Sequence, residues 1–277
     1  MLSVLRAPGA KPLTQGIQSG SRYTIAICKG SALVEETKTL LRAWRPEESI
    51  ADFQSRVQRE DLLGRATAYR VKDIVRRVFA RRLLAPDNRP ALNLKSLLMA
   101  GKTRIVSDLL LLYSARQDDA LRDVIVDVYW PAVREGQLSV TPSQLVGFLR
   151  HAEANGYMAE PWSEQVRLKV ARGLLGALVG FGMMREVARG RRETLGFHPT
   201  DGAVIYLAFD LHFQGLTDSA VVADRDWQIF GFNESDVRNA LDSTMPSGWG
   251  VIQAAGSVVR INWNYNAMED VIDALAR

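Results

Sequence analysis

His151, His198 and His212 are the only histidines of this 277-residue chain, and none lies at metal-ligand spacing with a cysteine or a carboxylate. Each therefore reads as a packed or surface histidine. Lys29-Gly30-Ser31 has the letters of a phosphate loop, but the upstream glycine of GxxxxGKS/T is missing and the lysine precedes its glycine. Asp118-Asp119 and Glu35-Glu36 are acidic pairs of the kind that open exposed helices, with no second carboxylate motif beside them. The single cysteine, Cys28, sits in an apolar stretch, which predicts an inert thiol and excludes both a disulfide framework and a multi-cysteine zinc site. These residues predict a protein that is not an enzyme, with no metal, cofactor or small-molecule substrate.

Basic side chains make a different case, because they are clustered. Arg65 to Arg89 holds eight Lys/Arg against two acids, and Arg167 to Arg192 holds seven against one. The rest of the chain carries 20 basic and 28 acidic residues, so a net charge of +4 conceals two strongly positive segments. Segregation of this kind is what dedicated anion-binding faces require. In the first segment Arg70, Arg77 and Arg81 recur at i, i+7 and i+11, close to three helical turns, while Lys72 and Arg76 form a neighbouring stripe. Only Asp73 relieves their mutual repulsion. A solvated helix face is the plain alternative; an anionic partner explains the arrangement better. In the second segment Arg167, Lys169 and Arg172 fall early in one helix, and Arg189, Arg191 and Arg192 surround a glycine turn. Arginine suits bidentate contacts to phosphate and guanine.

The elements that must position these groups follow from caps and periodicity. Residues 1–22 carry Arg6, Lys11 and Arg22 with no acid, and Pro8 and Pro12 interrupt any hydrophobic run, so a mobile basic arm is expected rather than a signal peptide. Tyr23 to Cys28 alternates as a short strand would. Ser31 and Ser49 are the expected caps of the next two helices, and Pro46 separates them. A long helix is predicted from Thr67 to Leu84, with Tyr69, Ile74, Val78, Phe79 and Leu83 facing a core. Helices over 91–100 and 103–117 follow, then an aromatic helix over 119–135 that Pro131 should end or kink. Thr141-Pro142-Ser143-Gln144 is a capping box with proline at the first helical position, and Ser163 caps a further helix. A hairpin with the basic tip Arg189-Gly190-Arg191-Arg192 comes next. Helix, turn, helix and basic hairpin is the order of a winged helix-turn-helix. Beyond it, Val204 to Phe213 reads as strand or buried helix, Asn233 caps a short helix, residues 251–265 form a second hairpin, and 267–275 a closing helix. The longest apolar run, Leu174 to Met184, has 11 residues, short of the roughly 20 that span a bilayer.

YTIAICKGSALVEETKTLLRAW (23–44) and QREDLLGRATAYRVKDIVRRVFARRLL (58–84) resemble the N-terminal half of the BrxA family of bacterial BREX (bacteriophage exclusion) systems. The resemblance is carried by the KGSALVEET helix start, the LLGRAT turn and the RVxxIxRRVFxRR basic helix. It continues through the helical middle, while the part from about Gly202 extends past the shorter family members. It implies a cytoplasmic, non-catalytic accessory protein of phage defence, encoded with a DNA methyltransferase and ATPases. It also implies DNA binding and a helical N-terminal domain comparable to the NusB-like fold of RNA-binding factors. Arg65, Arg70, Arg76, Arg77, Arg81 and Arg82 lie in the matching stretch.

The expected molecule is mainly α. It has a basic arm (1–22), a helical N-terminal domain (23–135), a winged-helix-like module (136–200) and a C-terminal α+β module (201–277). Its expected partners are duplex DNA and other BREX proteins, with RNA, or acidic partner proteins docked on a scaffold, as alternatives. The candidate nucleic-acid contacts are Arg65, Arg70, Lys72, Arg76, Arg77, Arg81, Arg82, Arg167, Lys169, Arg172, Arg189, Arg191 and Arg192.

Overall fold

A computed structural model describes residues 21–188, 190–256 and 258–277; the expected basic arm lies outside these apart from Ser21 and Arg22. Ile25–Lys29 is a 3₁₀ turn, not a strand, opened by the Thr24 side chain, which accepts from the Ala26 amide. Among the described residues no strand lies beside it to complete a ladder. Tyr23 is instead buried, its amide bonded to the Tyr157 carbonyl and its hydroxyl donating to Asp123 at 2.6 Å.

Helix α1 (Val34–Ala43) starts three residues after Ser31, with Leu33 at the cap in a left-handed conformation (φ 50°). Ser31 therefore does not cap it. The reason is a long-range contact: the Arg82 guanidinium draws the carbonyls of Gly30, Ser31 and Ala32 to itself, and the helix begins only once the chain has crossed that group. Helix α2 (Ile50–Arg59) does start at Ser49, which accepts from the Asp52 amide.

The arginine-rich helix runs without a break from α3 (Ala68–Lys72) through a π-helical stretch (Asp73–Phe79) into α4 (Ala80–Leu83). Ile74, Val78, Phe79 and Leu83 are buried as their spacing predicts. Tyr69 is not: it is 62% exposed. Val71 takes the core position, and two residues back along a helix is about 200° around its axis. Helices α5 (Arg89–Met99) and α6 (Thr103–Gln117) follow. Helix α7 (Asp119–Val124) then passes through a π-helical stretch (Ile125–Tyr129) into α8 (Trp130–Arg134). Pro131 does not end this helix; the widened π turn just before it accommodates the missing N–H and the ring.

Helix α9 (Pro142–Ala154) carries the complete capping box of Thr141 and Gln144, and α10 (Glu164–Gly180) is capped by Ser163. Strands β1 (Met184–Ala188) and β2 (Arg191–Thr194) pair antiparallel with an irregularity between Glu186 and Ala188. The loop before α9 touches the hairpin, since the Thr194 amide donates to the Leu138 carbonyl at 3.0 Å. Val204 to Phe213 belongs to a helix, α11 (Asp201–Phe213), buried on nearly every side. After α12 (Asp218–Val222) and a 3₁₀ turn (Arg225–Phe230) comes α13 (Glu234–Thr244), with Asn233 and Asp236 forming a capping box. A regular hairpin of β3 (Gly250–Ala255) and β4 (Val258–Trp263) and the last helix, α14 (Met268–Ala276), complete the chain.

One contiguous hydrophobic core runs from Tyr23 to Leu275. Helices α5 and α6 pack against α14 and α11, which ties the last 77 residues to the helical body. Buried charges reinforce that contact: Arg116 reaches Asp226 at 2.6 Å and Asp210 at 2.8 Å, and Arg122 reaches Asp226 at 2.6 Å.

Candidate nucleic-acid interface

The two basic segments meet because α10 is bare along one side. Gly173, Gly176 and Gly180 recur at helical spacing and face the N-terminal turn. A Cβ at Gly180 would stand 2.4 Å from the Ala32 Cβ, and one at Gly173 would stand 3.4 Å from Ile27. The chain from Ile27 to Ala32 thus lies directly on the helix backbone. Arg82, reaching from α4, fastens the other side of this crossing through three carbonyls at 2.6–3.0 Å.

The crossing leaves a cleft of about 200 Å³ between α3, the N-terminal turn and α10. Lys29, Arg70 and Lys169 converge on it, one from each element, over a floor that includes Gly30 and Gly173. Arg70 is held by the Lys29 carbonyl, to which its guanidinium donates. Lys29 donates to the Tyr69 hydroxyl at 3.0 Å and lies 3.7 Å from Asp73. The Tyr69 hydrogen bond, with Asp73 adding to it, raises the Lys29 pKa, so the ammonium stays charged. Cys28 also borders the cleft; burial pushes its thiol up, against the pull of Lys169.

Around the cleft the candidate residues separate by what holds them. Arg77 pairs with Asp73 at 3.3 Å and, with Arg81, lines a smaller cleft against the same turn, so Arg70, Arg77 and Arg81 do face one structure. Lys72 and Arg76 are exposed, Arg76 donating to Gln54 at 2.5 Å. Arg65 is exposed in the preceding loop, in a left-handed conformation (φ 59°), with its amide on Asp61. Arg82 is buried; burial lowers its pKa to about 10, which leaves it protonated near neutrality, and its guanidinium is spent on backbone. On α10, Lys169 and Arg172 are exposed, whereas Arg167 is a strut between helices, 2.6 Å from Glu153 and 3.3 Å from Glu164. In the hairpin Arg191 pairs with Glu193 at 3.4 Å, as does Arg185 at 3.1 Å. Arg192 is half-buried, and Arg189 lies outside the described residues.

Lys29, which lines the cleft, reads in the sequence as part of a false phosphate loop, and Tyr69, bonded to it at the rim, reads as a core residue. The glycine spacing on α10 was the signal that another segment lies there. Among the described residues no group of three or more His, Cys, Asp or Glu could hold a metal ion. No described helix is long and apolar enough to cross a membrane.

Fold and cleft together define a mainly helical protein with a basic, aromatic-edged groove built from three separate elements. Residues 21–195 match the family model of BrxA, and the chain belongs to the BrxA family, a family of the BREX phage-defence systems. The match spans both basic segments and stops short of α11. In fold the chain is similar to the crystal structure of an uncharacterized protein from Magnetospirillum magneticum. The TM-score is 0.56 at 16% identity, over 69% of this chain and 95% of that one. No curated protein matches the sequence.

Proposed function

We propose that this chain is a non-catalytic, cytoplasmic DNA-binding component of its BREX system. It would hold duplex DNA across the face formed by α3, α4, the N-terminal turn and α10, and present it to other BREX proteins. The observation that carries this reading is the convergence of Lys29, Arg70 and Lys169 on one cleft, with Arg77, Arg81 and Arg172 exposed nearby. Like charges brought together on a surface repel one another unless an anion joins them, and a polyphosphate backbone gains by releasing its own counterions. Support comes also from the order α8, loop, α9, α10, β1 and β2, with the Thr194 amide bonded to the Leu138 carbonyl of that loop, which is the order of a winged helix-turn-helix. In that arrangement α10 is the helix that lies at the major groove, and its exposed Lys169 and Arg172 reach the phosphates that border the groove.

Fluorescence-anisotropy titration of labelled duplex, with matched RNA, at several salt concentrations tests the proposal. The expected result is salt-sensitive duplex binding tighter than RNA binding. Lys169→Ala with Arg172→Ala should weaken it and flatten the log–log salt slope by roughly 0.9 per lost phosphate contact. Tighter RNA binding would favour the NusB-like alternative. Binding to neither at low salt would leave a scaffold that docks acidic proteins.

A further inference from the structure

Tyr69 is an unusual residue to find 62% exposed at the rim of a cationic cleft. Its ring is not loose, because the Lys29 ammonium holds the hydroxyl at 3.0 Å and lies 5.3 Å from the ring centroid. Next to it, Lys29, Arg70 and Lys169 line an open cleft of about 200 Å³. That is smaller than the roughly 300–1,000 Å³ of small-molecule sites, and it suits a phosphate group better than a base. A cation-lined recess for phosphate beside a solvent-facing aromatic is the minimal unit by which proteins hold unpaired nucleotides. A base inside a duplex cannot use it, since both its faces are covered by its neighbours in the stack. A nucleotide beyond the last base pair has a free face and a backbone mobile enough to bring it onto Tyr69.

We infer that the cleft takes an unpaired deoxynucleotide, its phosphate among Lys29, Arg70 and Lys169 and its base stacked on Tyr69, so that the protein prefers DNA whose duplex ends in a single-stranded extension. This rests on the proposed DNA binding and adds the form of DNA that is recognised. Tyr69 would supply the preference, while Arg77, Arg81, Lys169 and Arg172 supply affinity for phosphate whatever the strand form.

The test is an anisotropy titration at fixed salt of three DNAs: a blunt duplex, the same duplex with a short 3′ or 5′ overhang, and that overhang made abasic. An abasic overhang keeps the added phosphates and removes the bases, which separates stacking from charge. With one base stacked, the overhang should bind about tenfold more tightly than the blunt duplex, and the abasic overhang should lose most of that gain. Tyr69→Ala should abolish the gain, so that it binds blunt and overhanging DNA equally; Tyr69→Phe, which keeps the ring, should retain most of the gain. A fluorescent base analogue in the overhang should be quenched by the full chain and not by Tyr69→Ala. Equal affinity for blunt and overhanging DNA, or a gain that survives in Tyr69→Ala, would overturn the inference. A gain given by an RNA overhang and not by the DNA one would also overturn it. Tyr69-dependent binding of single-stranded DNA without any duplex binding would sustain the cleft and remove the duplex reading, so the two fail separately.

Discussion

Arginines that are alike in sequence have different work in the fold. Arg82 follows the same basic run as Arg77 and Arg81, yet it is buried and satisfies the carbonyls of Gly30, Ser31 and Ala32. Removing it leaves those acceptors without a donor in a site that water does not fill easily. Arg82→Ala should therefore destabilise the protein by about 2–4 kcal/mol, measured by urea unfolding. Lys72→Ala, at an exposed position on the same helix, should change stability by less than about 0.5 kcal/mol. Asp226 works at the same scale. Burial raises its pKa, but Arg116 and Arg122 outweigh burial and hold it below the ordinary 3.8. A depressed carboxyl contributes stability that is complete above the unfolded value and is lost as pH falls through the folded one. The acid limb of stability below about pH 4 should accordingly be shallower in Asp226→Asn, and the variant should be less stable at neutral pH.

At the scale of the element, α10 is both a structural platform and the proposed groove helix, and its glycines decide which. Ala in place of an exposed helical glycine ordinarily gains up to about 1 kcal/mol. Gly147 in α9 has open space where a Cβ would stand, so Gly147→Ala should raise the melting temperature. Gly180→Ala should do the opposite by about 1–3 kcal/mol, because its Cβ would displace Ala32. It should also weaken DNA binding, since the N-terminal turn brings Lys29 to Lys169. The hairpin of β1 and β2 is a weaker anion surface than its arginine count suggests, because Glu193 shares Arg185 and Arg191. Arg191→Ala with Arg192→Ala should consequently flatten the salt slope less than Lys169→Ala with Arg172→Ala does. The reverse order would make the hairpin tip, rather than the cleft, the main contact.

Across the whole molecule, charge is divided along the chain. Residues 201–277 hold four Arg/Lys against eleven Asp/Glu, and α13, which precedes the second hairpin as α10 precedes the first, carries Glu234, Asp236 and Asp242. The two helix-and-hairpin arrangements are thus electrostatic opposites, and only the first suits a phosphate backbone. Arg260→Ala in the second hairpin should leave DNA affinity unchanged in the same titration that registers the loss at Lys169 and Arg172.

Local elements are legible in the amino-acid sequence: caps at Ser49, Thr141, Ser163 and Asn233, the break at Pro46, both hairpins, and the existence of two basic segments. Cap hydrogen bonds, proline and side-chain periodicity act within a few residues, so they can be read without a fold. The sequence does not determine whether Ile25–Lys29 pairs as a strand, whether Tyr69 is buried, or which arginines are spent on the backbone. Those depend on neighbours far along the chain: Arg82 on residues 30–32, Gly180 on Ala32, Lys29 on Tyr69 and Asp73. That two basic segments roughly a hundred residues apart line one cleft follows from long-range packing, because it requires a bare glycine stripe on one helix for a distant segment to lie against.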